Sequence, residues 1–314
     1  MSVIAPPPAA TERGTEVQVD HVAGGKRRSW APLGFLAPSG TGFLVFTLIP
    51  IVGSILLAFF AWPIMGERKF TGVSNFTTLL TDDPVFFRAL LNTTIFVVLY
   101  VPLNFVVAMG IAVWISPRIR GRGIYRVLFF MPAVTPIVAN ALVWRLLLQP
   151  KGLVDSTLTS WFGAAPTNFL GGETSAMACV VALAVWQGFG YNMLVFSAGL
   201  DSINPNLYEA ADIDGASRIR QFWRITIPML SPSMFFAAVM TLITSFQVFI
   251  EPYILTGGGP GVATQTMVMY MYQKGFQFFQ LGMASAISTL LLLIIILVTA
   301  LQFLGQKRLV HYDN

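Results

Sequence analysis

Six stretches of this chain are long and apolar enough to cross hydrocarbon: 33–62, 89–115, 124–148, 175–200, 229–255 and 281–304. A bilayer core of about 30 Å takes about 20 helical residues to span. Inside it no water is available to backbone N–H and C=O groups, so only helices and closed barrels are stable there. The alternation of apolar and polar residues that a membrane barrel needs is absent from these stretches. Composition agrees: 55% of the residues are hydrophobic and 11% charged, against about 25% charged in a soluble domain, and mean hydropathy is +0.70. The expected fold is all-α, a polytopic membrane protein with six transmembrane helices.

The charges give its orientation. Of 19 Lys and Arg residues, 13 fall in the N-terminal tail, the loops after the second and fourth stretches, and the C-terminal tail. The positive-inside bias therefore places both termini in the cytoplasm. A net charge of +5 raises nucleic acid as a partner, but no basic face interleaved with aromatics exists, so none is expected. Residues 1–28, with "APPPAA" and "TERGTEVQVD", read as a flexible cytoplasmic tail preceding a membrane domain over 29–314. Lys26–Arg28 before a long apolar run reads as a signal anchor; a cleaved signal peptide would be shorter and start earlier.

Several chemistries are excluded. The lone cysteine, Cys179, cannot form an internal disulfide, and both histidines, His21 and His311, lie in the tails. No metal cluster and no catalytic triad can be assembled. "GGKR" at Gly24–Arg28 lacks the upstream Gly and following Ser/Thr of a phosphate cradle. The chain is thus expected to be no enzyme and to carry no cofactor, and any ATP and Mg must bind to partner subunits.

One segment interrupts the apolar pattern without looking like a plain loop: "EAADIDGASRIRQFWRITIPML", Glu209 to Leu230, on the cytoplasmic side. Asn204 is a good N-cap and Pro205 suits the first helical turn. Leu207, Ala210 and Ala211 then share a face. Gly215 allows a left-handed turn, and Ser217 can cap a second helix. In that helix Ile219, Phe222, Trp223 and Thr226 line one side, Arg220 and Arg224 a more polar one. Pro228 is expected to end it after Ile227. The product is two short amphipathic helices at a bend. Amphipathicity alone leaves two readings open, a helix lying among lipid headgroups and an element docked in a partner's groove with Phe222 and Trp223 as anchors.

The spacing is more specific. Glu209-Ala210-Ala211, three residues, Gly215, nine residues, then Ile225-Thr226-Ile227-Pro228 resembles the "EAA" loop of ABC importer permeases. With Asp214 before Gly215, and "ILTGGGPGVATQTM" at Ile254–Met267, the chain is similar to the carbohydrate-uptake branch, which includes maltose, lactose and glycerol-3-phosphate permeases. The resemblance implies that the loop, about 201–228, is a coupling helix docked on an ATPase, with Glu209, Ala210, Ala211, Asp214, Gly215, Phe222, Trp223 and Pro228 as its working residues. It also implies the partners: a second related permease, two ATP-binding cassette subunits and an extracytoplasmic solute-binding protein, in the plasma membrane and its lipid. Transport would proceed by alternating access.

Polar groups within the spans are costly against lipid and so are expected to face the bundle interior. Asn140, Gln187, Tyr191, Asn192 and Gln247 are such groups. Trp144, Trp186 and Phe246 add flat surfaces of the kind that stack on sugar rings. "WQGFGYN" and "SFQVF" are the preferred pore-lining runs. Glu251 and Arg145 are expected near the outer interface, where they could pair, and Glu251 is a further pathway candidate. Pro102, Pro132, Pro136, Gly188, Gly190 and Pro252 are candidate moving points. A sugar or sugar-like solute is the expected cargo; a glycerol-3-phosphate or glycerophosphodiester importer is the alternative within the family. An ion-coupled secondary transporter is the alternative from another class, though it should carry central carboxylates and internal repeats. A membrane scaffold that only recruits a cytoplasmic partner is a third.

Overall fold

The structure is a computed structural model that describes residues 31–63, 66–115, 119–163, 165 and 167–309. The expectations placed on the 1–28 tail, His311 and Arg118 lie outside the described residues. The chain divides into two units, Met1–Pro50 and Ile51–Asn314. The first contains the helix Ala31–Phe43 and the π turn Leu44–Leu48. A helix over Ile49–Leu57 then leads into the second unit.

Five continuous helices are long and apolar enough to cross a membrane: Phe35–Leu57, Pro84–Trp114, Glu173–Ser202, Arg218–Ser245 and Leu281–Gln306. The sixth crossing is a bent pair, Arg122–Val134 and Ile137–Phe162, at 87° to one another. In chain order these are spans one to six, the bent pair being the third. The expected six-helix architecture is therefore present, with corrected bounds. The first stretch ends at Leu57 rather than 62, because Phe60–Ala61 leaves the helix to pair antiparallel with Lys69–Phe70.

Span four is central. It has 56% of its most apolar window buried, against 33% for span two, 22% for span five and 28% for span six. Small residues let neighbours approach it. A Cβ on Gly188 would lie 2.4 Å from the Tyr100 hydroxyl, and one on Gly190 2.9 Å from the Phe129 carbonyl oxygen and 3.1 Å from Phe130 Cα. These glycines are close-packing points rather than breaks. Pro102 and Pro132 likewise sit inside continuous helices. Of the candidate moving points, Pro136 stands at the break in span three.

Proline also reshapes span five. Pro228 does not end a helix: Arg218–Gln221, the π turn Phe222–Thr226 and Ile227–Ser245 run on as one rod. The Ile227 N–H reaches back to the Phe222 carbonyl, so the turn before the proline is widened. Widening relieves the clash between a proline ring and the preceding turn without breaking the helix. The same device stands at Leu44–Leu48, two residues ahead of Pro50. At its other end the rod stops at Ser245, not 255. Ile250–Leu255 is a separate short helix, followed by a loop and Met267–Tyr272. Span two anchors that loop: Asn92 Nδ2 donates to the Val262 and Gln265 carbonyls at 2.7 and 3.0 Å, and Met267 N–H donates to Thr93 Oγ1 at 2.9 Å. Asp83 caps span two through the N–H groups of Val85 and Phe86 and accepts from the Tyr270 hydroxyl. Burial and this carboxylate push the Tyr270 phenol above its usual range.

Replacing Gly190 with Leu should force the first half of span three off span four. The expected loss is about 1–3 kcal/mol, read as a lowered thermal midpoint of the purified protein. Gly110→Ala, where a Cβ meets nothing within 4 Å, should leave the midpoint unchanged.

Candidate functional site

The cytoplasmic segment is built from local rules. Asn204 Oδ1 accepts the Asn206 N–H, and Pro205 begins a helix that runs to Ile213. Its end closes as a Schellman turn. Ala216 N–H donates to the Ala211 carbonyl at 2.9 Å and Gly215 N–H to the Asp212 carbonyl at 3.1 Å, with Gly215 at φ +73°. That conformation costs a residue with a Cβ about 1–2 kcal/mol. Nothing lies within 4 Å of a Cβ built there, so the requirement for glycine is one of backbone conformation.

Two side-chain bonds weld this helix to the start of span five, and a third ties span five to the turn after the helix. Tyr208 Oη and Thr226 Oγ1 are 2.9 Å apart. Gln221 Nε2 donates to Asp212 Oδ1 at 2.5 Å and to the Ala216 carbonyl at 3.1 Å. Gln221 and Thr226 are buried. Glu209, Ala210, Asp214 and Gly215 are exposed, and Ala211 and Pro228 are half-buried. The expected aromatic pair divides. Phe222 packs against the protein's own core beside Phe196 and Leu230, whereas Trp223 is 63% exposed. The reason is rotational: Phe222 and Thr226 face inward on the rod, Ile219 and Trp223 outward. Only Trp223 offers a ring to a partner.

The polar residues of the spans separate into groups. Gln187 Nε2 donates to the Pro132 and Thr135 carbonyls at 2.8 and 3.0 Å, and Asn140 Nδ2 donates to Gln187 Oε1 at 2.5 Å. Those carbonyls flank the break, where Pro136 has no N–H and Thr135 is extended, as a residue before proline prefers. Asn140 and Gln187 thus hold the bent span together. Asn192 Nδ2 donates to Asn104 Oδ1 at 2.7 Å and Thr241 Oγ1 at 2.8 Å, joining spans two, four and five. Phe246 is buried, and Trp144 and Trp186 pack with ring centres 5.8 Å apart. Tyr191 and Gln247 are both exposed on the chain.

Gln247 and Glu251 line an open groove of about 590 Å³, together with Thr244, Phe249 and Ser288. It lies beyond the outer end of span five and against span six. The groove's lining includes no Lys or Arg. Arg145 donates to the Ile254 carbonyl at 3.3 Å rather than pairing with Glu251. Among the described residues no group of His, Cys, Asp or Glu could hold a metal ion. Sequence reasoning missed Tyr208, Asp212, Gln221 and Thr244. Their only signal is polarity at helical spacing, which a solvated face shares.

Residues 104–311 match the family model of the binding-protein-dependent transport system inner membrane component. The arabinooligosaccharides transport system permease protein AraP of Bacillus subtilis (strain 168) is 35% identical over 278 residues, covering 86% of each chain. The sn-glycerol-3-phosphate transport system permease protein UgpA of Agrobacterium fabrum (strain C58 / ATCC 33970) is 38% identical over 252 residues, 78% of this chain and 84% of the relative. In the crystal structure of a bacterial ABC transporter involved in the import of the acidic polysaccharide alginate, one chain superposes with a TM-score of 0.77. It is 25% identical and covers 90% of this chain and 97% of that one. A chain from the crystal structure of a bacterial alginate ABC transporter in complex with alginate pentasaccharide-bound periplasmic protein, 23% identical, shares the fold.

Removing the Gln187 amide should leave the Thr135 carbonyl without its donor and the Pro132 carbonyl with only the Thr135 N–H at 3.3 Å. Gln187→Leu is expected to lose about 1–3 kcal/mol, seen as a lower thermal midpoint. Gln247→Leu, in the groove, should keep the midpoint and lower substrate transport instead.

Proposed function

Because this chain belongs to the inner membrane components of binding-protein-dependent transport systems, the ABC importer permeases, we propose that it moves a sugar or sugar-like solute inward through a pathway whose outer part includes the Thr244–Gln247–Glu251 groove. The observation that carries the reading is the rod. One helix, Arg218–Ser245, has the exposed Glu209 segment welded to its cytoplasmic end and the groove at its outer end. A displacement applied at the first is delivered at the second.

ATP and Mg belong, in this reading, to a pair of separate ATPase subunits, each contacting one coupling segment; the chain's own residues perform no chemistry. Glu209 and Trp223 face the ATPase, Ala210 and Ala211 keep that helix face narrow, and the turn at Asp214–Gly215 sets its angle. A second permease supplies the other segment and the facing wall of the pathway, and a solute-binding protein delivers the cargo from outside. ATPase closure binds one arrangement of the two segments more tightly than the other. The resulting population shift opens the pathway to one side at a time.

The relatives' names give three kinds of cargo: arabinooligosaccharides, sn-glycerol-3-phosphate and an acidic polysaccharide. The groove in this chain favours the uncharged kind. It offers two hydroxyls, an amide and a carboxylate to sugar hydroxyls, and no cation to a phosphate. In a thermal-shift screen of the cognate solute-binding protein, neutral oligosaccharides should raise the midpoint; a response confined to sn-glycerol-3-phosphate would reverse the preference.

Glu209→Lys and Gly215→Val should both insert normally yet lose substrate-stimulated ATP hydrolysis in the reconstituted complex. The expected loss is about tenfold or more. Full stimulated turnover in both would contradict the coupling role.

A further inference from the structure

Asp201 lies in the last turn of span four, just ahead of Asn204, which opens the cytoplasmic helix. Its carboxylate oxygens are engaged separately. Arg122 Nη1 donates to Oδ1 at 3.1 Å and Arg126 Nη2 to Oδ2 at 3.0 Å. The two arginines stand i, i+4 on Arg122–Val134, so one face of that half-helix grips a single carboxylate. The side chains of Asp201 and Arg126 are only 31% and 24% exposed. Arg126 Nε is buried and has no hydrogen-bond partner among the described residues. Arg122 is 44% exposed and open to water, so loss of the carboxylate would be felt chiefly at Arg126.

The same half-helix is held to the same span at two further points, the close approach at Gly190 and the Gln187 bonds to Pro132 and Thr135. From residue 187 to residue 201 is about 21 Å of helix, and the 13-residue half-helix is itself about 20 Å long. Contact therefore runs along its whole length. Beyond it the chain turns by 87° at the break.

We infer that Asp201 is a positioning residue for transport: it clamps the cytoplasmic half of span three to span four beside the coupling segment, so that both move as one body and the displacement reaches the break at Thr135–Pro136. No Asp201 contact with substrate or ATPase is required. The inference rests on the reading of the Glu209 segment as the ATPase-coupling element, because that is where the displacement enters.

The test uses the complete complex in proteoliposomes and reads substrate molecules transported per ATP hydrolysed. Asp201→Asn should lower this ratio about fivefold or more while ATP hydrolysis continues, and Asp201→Glu should restore most of it. Arg122→Gln combined with Arg126→Gln should reproduce the defect. An unchanged ratio in Asp201→Asn, or no rescue by Glu, overturns the clamp. Glu209→Lys, run in parallel, separates the two claims: if it alone uncouples, the coupling reading stands and the clamp fails. If Glu209→Lys has no effect, the coupling reading fails. Should Asp201→Asn not assemble, hydrogen exchange on the unaltered complex decides. Segments 122–134 and 190–202 should change protection together on ATP binding, and independent changes would overturn the inference.

Discussion

Hydrocarbon offers no water to an unpaired carbonyl, and this constraint organises the protein. A continuous helix meets it unaided, but a chain that must bend inside the membrane cannot. At Pro136 the third span turns through 87°, and the carbonyls freed there are taken by Gln187 of span four, itself steadied by Asn140. A broken helix is therefore tolerable only beside span four, the most buried of the spans in the second unit. The two prolines that follow π turns, Pro50 and Pro228, solve the same problem without a break.

That second solution has the larger consequence for function. Because Pro228 is absorbed rather than obeyed as a stop, the cytoplasmic segment and span five form one rod. It has 28 residues, about 42 Å of helix. The Schellman turn at Gly215 folds the preceding helix back, and Tyr208–Thr226 and Asp212–Gln221 bolt it down. A hinge in that position would dissipate movement; a weld transmits it. The polar stripe Thr244, Gln247 and Glu251 begins at the far end of the rod and continues past it, and Glu251 is the one charged residue in the groove's lining.

Much of this was legible in the residues. Long apolar runs separated by charged loops give the six crossings, and the spacing from Glu209 through Gly215 to Pro228 gives the segment's family resemblance. The misreadings share a cause: they concern what a side chain touches, which composition does not encode. Gln187 and Gln247 are the same amide in equally apolar company, yet one caps a helix break and the other lines a groove. Phe222 and Trp223 are adjacent aromatics with rings 5.3 Å apart, yet one packs against the core and the other stays exposed. Pro228 was misjudged because a π turn two residues earlier leaves no mark in the sequence. Asp201 reads as one more loop charge until Arg122 and Arg126 are brought to it.

The most direct test of the account is a pair of distances measured by double electron–electron resonance in the complete complex, with and without bound ATP. On a Cys179→Ser background, labels replacing Ile219 and Met240, both exposed positions on the rod, should stay about 32 Å apart along the helix in both states. Labels replacing Met240 and Leu293, across from the rod on span six, should change separation between the states. A rod that shortens or bends while its distance to span six stays fixed would contradict the claim that the coupling segment moves the transport pathway as a rigid lever.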